Sequence, residues 1–311
     1  MSKVILVTGA TGKQGGAVVN ALLARKDEEF IVLAVTRDAL KPAARKLKAA
    51  HPRILLVEGD LDDVPSLLRR AEKIAEQPVW GVYSVQVSMG KGVTVEGEIS
   101  QGKALIDESI KTGVRHFVYS SVERGGDEAS WQNPTPVPHF QTKHAIEHHL
   151  LNSTRPGTPG EKMGWTILRP VAFMDNLVPG FSTKVFISAL RNRLGDKKLQ
   201  WVATVDIGIF AAKAFANPTH WNRKAVGLAG DELNFDELNQ AFESATGHPA
   251  PVAFWLFGSA LTFMVKEMDL MIGWFATDGY RADVPARRTE HAGMLTMGQW
   301  LMQESSFELA L

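Results

Sequence analysis

Apolar positions along the first half of the chain follow two alternating rhythms. Residues 4–7 form a short, continuous, β-branched run, whereas apolar residues over 17–23 recur at helical intervals. The alternation then repeats. FIVLAVTR (30–37), RILLVEGD (53–60), VWGVYSVQVS (79–88) and HFVYSSVE (116–123) are further continuous runs, and SLLRRAEKIAE (66–76) and GKALIDESIKTG (102–113) are helical patterns between them. Strands that lack polar alternation are buried on both faces, and helices between them imply parallel pairing with helices covering the sheet. Right-handed crossovers make this a doubly wound Rossmann sheet, the α/β class.

After residue 123 the rhythm changes. RGGDEASWQNPTPVP (124–138) is a Gly- and Pro-rich stretch at the carboxyl edge of the sheet, where long loops usually serve as rims or lids. A helix over 140–151, a Pro/Gly linker at 155–160 and a strand, WTILRP (165–170), follow. Beyond Pro170 the alternation loosens into helices over 206–217 and 235–246 and an aromatic segment, 253–275, carrying Phe254, Trp255, Phe257, Phe263, Trp274 and Phe275. The trailing GMLTMGQWLMQESS has a helix-like stripe suited to closing the smaller domain or a homodimer seam. The expected organisation is a dinucleotide domain of residues 1–169 with 202–218. A smaller, mostly helical domain for substrate or partner takes 170–201 with 219–311.

The junction between the first strand and the first helix carries the most specific signal. Gly9, Gly12 and Gly15 are spaced G-x-x-G-x-x-G across a strand-to-helix turn. Such a turn needs positive φ, and a pyrophosphate lying on a helix N-terminus needs backbone with no Cβ in the way. Gly9, Thr11, Gly12, Lys13, Gln14 and Gly15 are the expected phosphate cradle. The end of the second strand then separates the two nicotinamide dinucleotides. An NAD site usually places a carboxylate there for the ribose 2′-hydroxyl, but this strand ends Val35-Thr36-Arg37. A guanidinium suits a 2′-phosphate, with Lys13 as a second cation, so NADP(H) is the expected cofactor. Asp38 would offer a carboxylate only if the strand ended one residue later. Its expected role is to stay in solvent or start the next helix.

Composition narrows the function without naming it. The 311 residues are 45% hydrophobic and 22% charged, and 34 Lys and Arg balance 34 Asp and Glu, so no global field favours direct contact with nucleic acid or an anionic membrane. With no cysteine there is no disulfide, thiolate nucleophile or cysteine metal site. The apolar stretch 253–265 is too short for a bilayer, and Met-Ser-Lys leads straight into a strand. A cytoplasmic protein is expected, or a nuclear one if it regulates transcription.

VTGATGKQG, Thr36-Arg37, EGDLDD, YSSVE, HFQTKHAIE, LRPVAFMDN, TVDIGIFAAKAFANP and WFATDGYRADV occur in that order. Together they resemble the NmrA-like family, atypical members of the short-chain dehydrogenase/reductase superfamily, and the last segment resembles fungal members. The resemblance covers nearly the whole chain. It implies an NADP(H)-binding protein of one of two kinds: a reductase, or a regulator and redox sensor without turnover. Classical short-chain dehydrogenases carry Y-x-x-x-K on the helix after the fifth strand, whereas this chain reads His139-Phe140-Gln141-Thr142-Lys143. The resemblance places Lys143 at the nicotinamide ribose and matches Ser121 to the superfamily serine. It leaves His139 either a proton donor or a helix-end residue. It also places Asp60 and Leu61 beside adenine, Gln86 and Val87 at the ribose, and Pro170, Val171 and Phe173 beside the nicotinamide, with Asn176 nearby.

His144-Ala145-Ile146-Glu147-His148 spells a zinc-peptidase pattern. It lacks a third ligand and an open position, and its helix already has a place in the dinucleotide fold, so no metal is expected. Two functions remain. In the first, NADPH reduces a small apolar carbonyl, quinone, imine or enone held against the aromatic segment, with the proton drawn from water, His139 or Lys143. In the second, the same fold binds NADP(H) and reports redox state to a regulatory protein partner, which needs no general acid. The aromatic segment favours the reductase, the preferred reading; the missing tyrosine favours the sensor.

Overall fold

The computed structural model describes residues 2–90, 92–253 and 262–310, with backbone only over 262–266. Strands β1 (Lys3–Val7), β2 (Phe30–Thr36), β3 (Leu55–Glu58), β4 (Gly81–Ser84), β5 (His116–Ser120) and β6 (Gly164–Pro170) alternate with helices in chain order. These are α1 (Lys13–Ala24), α2 (Pro42–Ala50), α3 (Val64–Ala75), α4 (Val95–Thr112) and α5 (Pro138–Ser153). The later elements are β7 (Ala172–Phe173), α6 (Phe181–Leu194), β8 (Leu199–Val202), α7 (Thr204–Ala216), α8 (Pro218–Trp221), β9 (Lys224–Leu228) and β10 (Asp231–Leu233). Helices α9 (Phe235–Thr246), α10 (Thr262–Thr277), α11 (Val284–Glu290) and α12 (Met297–Gln303) complete the chain.

Seven strands lie in the order β3-β2-β1-β4-β5-β6-β9, and the ladders joining β3 through β6 are all parallel. This is the order of a Rossmann sheet, reversing direction of growth at β1/β4, where the ligand crevice opens. The continuous apolar runs explain the burial: Val4–Val7 of β1, all of β4 and all of β5 are buried. Strands β3, β4 and β5 are shorter than the apolar runs that announce them. After β3 and β4 the chain leaves the ladder, and Gly59, Asp60, Val85 and Val87 line the crevice.

The chain clusters into two compact units. The first comprises Met1–Ser121, Thr142–Arg169 and Ile207–Val226, and the second comprises Val122–Gln141, Pro170–Asp206 and Gly227–Leu311. The loop 124–138 belongs to the second unit, and it does not behave as a loose rim. It winds around the fully buried Arg124, whose Nε donates to Asn133 O at 3.0 Å, Nη1 to Val122 O at 2.7 Å and Nη2 to Ser130 O at 2.7 Å. Glu123 accepts the Gly125 amide at 3.0 Å and those of Gly126 and Arg281, although burial still raises its carboxyl above the ordinary range. The second unit is helical apart from a three-stranded sheet, β10-β8-β7, that apolar patterning had not signalled. Its strands are four residues or fewer, too short to show a period.

Asp206 makes the second unit sensitive to pH. Its side chain is buried, accepting the Leu295 amide at 3.1 Å through Oδ2, and His291 Nε2 lies 3.7 Å from Oδ1. Burial pushes the carboxyl up to about 7, against the opposing pull of the Leu295 amide and Arg288. The folded state therefore holds a proton that the unfolded chain releases near pH 4. This contribution is full below that pH and is lost as pH rises toward 7. Thermal melts from pH 5 to pH 8 should show stability falling in the wild type. Asp206→Asn keeps the acceptor for Leu295 and should flatten that fall; parallel curves for the two proteins would refute the assignment.

Candidate functional site

A cavity of about 710 Å³ opens at the carboxyl ends of the first unit's central strands. Three pieces of chain build its floor: the turn after β1 (Thr8, Gly9, Thr11, Gly12), the end of β2 (Val35, Thr36, Arg37), and Gly59, Asp60 and Leu61 after β3. The segment after β4, with Val87 and Met89, and the first turns of α4 close the other side. A volume of this size is ample for a small-molecule site.

The turn after β1 takes its shape from its glycines. Gly9 has φ +61°, a left-handed conformation, and a Cβ on Gly15 would lie 2.2 Å from Gly9 O. Gly12 is the N-cap of α1 and provides no side-chain cap; its own amide donates to Gly9 O at 2.9 Å, and Gly16 N donates to Gly12 O at 2.9 Å. The amides of Lys13, Gln14 and Gly15 form the first turn of α1, at the positive end of a helix that has no acidic residue in that turn. Gln14 contributes through its backbone alone. Its side chain turns to the sheet, where Oε1 accepts from Ser120 Oγ at 2.6 Å.

The adenosine end is equally defined. Arg37 is exposed on the cavity wall and has no ion-pair partner among the described residues. Asp38 does not compete with it: its Oδ1 accepts the Leu40 amide at 2.8 Å, closing an Asx turn ahead of α2. Asp60 likewise accepts the Asp62 amide, at 3.1 Å, while lining the cavity beside Leu61. Val87 lines the cavity, whereas Gln86 is buried and does not. Its Nε2 donates to Ser84 Oγ at 2.9 Å, and its Oε1 lacks a hydrogen-bond partner. First-turn amides and a guanidinium without an ion-pair partner among the described residues suit a dinucleotide with a 2′-phosphate.

Helix α5 carries the remaining candidates. Lys143 is buried, and its ammonium pairs with Glu98 Oε1. Glu98 also accepts from Ser88 Oγ at 2.9 Å and Thr142 Oγ1 at 2.8 Å, and it lines the cavity. Sequence reasoning missed Glu98 because it starts the fourth crossover helix at residue 102. The helix instead begins at Val95, capped by Thr94 Oγ1 accepting the Gly97 amide at 3.0 Å. The available signal was Thr94 followed by Glu96 and Glu98, a capping residue ahead of first-turn acids.

Ser121 lies at the end of β5, where its hydroxyl donates to Glu147 Oε1. Glu147 in turn receives Arg169 Nε at 3.1 Å and Nη2 at 2.8 Å, in a pair with no exposure on either side. Ser121 is thus tied into a buried carboxylate–guanidinium network. The zinc-peptidase pattern dissolves in the same way, since its glutamate is this Glu147; His144 and His148 pair through their Nε2 atoms at 3.1 Å. No group of three metal-ligating side chains occurs among the described residues.

In the second unit, His139 Nδ1 lies 2.7 Å from Glu267 Oε1 on α10. Next to it, Phe140 packs edge-on against Trp274, with ring centroids 5.5 Å apart, and against Tyr280. Trp274 and Phe275 are buried, so this part of the aromatic segment is core. Phe254, Trp255 and Phe257, and the side chain of Phe263, lie outside the described residues. Pro170 and Val171 are buried, Phe173 caps the 3₁₀ turn after β7, and Asn176 is that turn's last residue.

Comparison with known proteins agrees with this architecture. The model of the NmrA-like family matches residues 1–291. The NmrA-like family domain-containing oxidoreductase hkm9 of Aspergillus hancockii is 28% identical over 318 residues, covering 94% of this chain and 89% of that protein. NmrA, a negative transcriptional regulator solved in complex with NADP, superposes with a TM-score of 0.71 at 19% identity, covering 97% of this chain and 95% of that one. The Citrobacter sp. triphenylmethane reductase complexed with NADP(H) gives a TM-score of 0.70 at 17% identity, covering 97% and 99%. The chain belongs to the NmrA-like family.

Proposed function

We propose that this chain binds NADP(H) and acts as an NADPH-dependent reductase of a small apolar carbonyl, quinone, imine or enone. The observation that carries the reading is the crevice itself: a side-chain-free cradle of amides at one end, and at the other Arg37 with Asp38 turned away into its own loop. Support comes from hkm9, named an oxidoreductase, and from the NADP(H) complex of triphenylmethane reductase. The cofactor supplies the hydride. The first-turn amides of α1 would hold its diphosphate, Arg37 its 2′-phosphate, and Lys143 the ribose hydroxyls on the nicotinamide side.

One observation favours the second reading, a redox sensor acting on a protein partner. Glu98 already engages the ammonium of Lys143, and the regulator NmrA shares the fold and was solved with NADP. Calorimetry and turnover separate the two. For Arg37→Ala we expect NADPH binding to weaken by about 10- to 100-fold, the value of a charge-assisted phosphate contact, with NADH binding nearly unchanged. An unaltered preference for NADPH would refute the role of Arg37. NADPH consumption with any carbonyl, quinone, imine or enone supports the reductase; intact binding with no turnover across that panel supports the sensor. Among the described residues no helix is long and apolar enough to cross a membrane.

A further inference from the structure

We propose that Gln101 selects the adenine base of the dinucleotide by accepting from its 6-amino group, and that Asp62 is the positioning residue that orients the Gln101 amide. The inference rests on the dinucleotide reading and deepens it, because it names the residues that read the base. Neither residue belongs to the glycine turn or to the end of β2, and 39 positions separate them in the chain.

Both residues belong to the first unit and line its cavity. Asp62 lies in the 3₁₀ turn Leu61–Asp63 that follows β3, and Gln101 lies on α4, one turn beyond Gly97, which lines the same cavity. Strand β3 pairs with β2, whose end carries Arg37, so this side of the cavity is the adenosine end of a Rossmann crevice. Leu61 offers an apolar surface for a base there, which leaves Asp62 and Gln101 to meet its polar edge.

Elementary hydrogen-bond chemistry sets the orientation of the amide. Gln101 Nε2 lies 2.7 Å from Asp62 Oδ1. A carboxylate accepts and cannot donate, so the amide nitrogen must face it. Turned over, the amide would set its own oxygen against the carboxylate, two acceptors at hydrogen-bond distance. The prong left for the cavity is therefore Oε1. Asp62 is itself held in place, since Asp60 Oδ1 accepts its amide at 3.1 Å and fixes the start of the 3₁₀ turn. Adenine carries an amino group at C6, a donor, whereas hypoxanthine carries an oxo group there, an acceptor. A fixed acceptor pairs with the first and repels the second. The amide cannot rotate to suit the wrong base without breaking its bond to Asp62, and this is what gives the site its selectivity.

Titration calorimetry with NADPH and with reduced nicotinamide hypoxanthine dinucleotide phosphate tests the assignment, since the two ligands differ only in the base. Wild type should bind NADPH about 10-fold more tightly than the analogue, the value of one matched hydrogen bond. Gln101→Ala should weaken NADPH and bring the two affinities to within about threefold of each other. Asp62→Ala should narrow the gap from the other side as well: the released amide rotates, Nε2 donates to the oxo group, and the analogue binds more tightly than it does to wild type. If the bond between Gln101 and Asp62 merely tied α4 to the turn after β3, breaking it would weaken both ligands equally, and that result overturns the proposal. Wild type that binds the two ligands equally also overturns it. So does Gln101→Ala that keeps the full preference for NADPH, which would assign the base to Asp60. Wild type that binds neither ligand defeats the dinucleotide reading itself, and this inference with it.

Discussion

Gly15→Ala should weaken dinucleotide binding by on the order of a hundredfold, equivalent to about 2.7 kcal/mol. The added methyl would lie 2.2 Å from Gly9 O, 2.4 Å from Gly9 C and 2.7 Å from Ala10 N. All three are main-chain atoms, so no rotamer change relieves the clash. The first turn of α1 must move away from the turn after β1, and the amides of Lys13, Gln14 and Gly15 lose their common aim. Because Gly9 already holds a left-handed φ of +61°, the turn has little freedom to adjust. Gly16→Ala provides the control. Its Cβ would meet Ala10 O at 3.5 Å, an ordinary contact, and alanine favours a helix interior over glycine. Titration calorimetry with NADPH should therefore show a large loss for Gly15→Ala and little change for Gly16→Ala. Equal effects in the two variants would mean that the close approach of α1 to the turn does not shape the phosphate site.

The contrast between these two glycines shows what the sequence makes legible. Strand, turn and helix follow one another within residues 3–24, so local period and glycine spacing together describe the cradle. Helix α9 is equally plain, since Asn234 and Glu237 form a capping box and Gly247 ends the helix with φ +72°. Arg37 can be read because it ends a continuous apolar run. The chemistry on α5 cannot be read so directly. Lys143 and His139 stand out through the resemblance to Y-x-x-x-K, but their partners come from distant segments: Glu98 lies 45 residues away and Glu267 lies 128 away. No local rule links a carboxylate on one helix to a cation on another, because the link is made by packing. The Pro/Gly stretch after β5 is opaque for a related reason. Its composition says loop, while the order in it comes from one buried guanidinium, Arg124, that binds three carbonyls. The three short strands β7, β8 and β10 pair only once the chain has folded back, and their length leaves no period to detect.

Removing Arg169 should cost the most stability of any single change considered. The guanidinium and the Glu147 carboxylate are both fully buried and joined by two hydrogen bonds, so Arg169→Met leaves a negative charge in the interior without its cation. Loss of one partner of such a pair costs about 3–5 kcal/mol, which would appear as a large drop in the urea midpoint. A second substitution distinguishes the charge from the packing. Arg169→Met combined with Glu147→Leu removes both charges, and it should recover more than half of the lost stability, since apolar replacements of a buried pair are often close to neutral. Activity should not recover with it. Glu147 lies one helical turn beyond Lys143 on α5, and its bonds to Arg169 on β6 and Ser121 after β5 fix the rotation of that helix against the sheet. Without them the helix keeps its apolar contacts and loses its rotational register, so Lys143 would lose the set angle that its proposed role at the ribose requires. Stability and turnover recovering together in the double variant would show that the network supplies cohesion alone. Stability recovering without turnover would show that Ser121, Glu147 and Arg169 serve to aim α5.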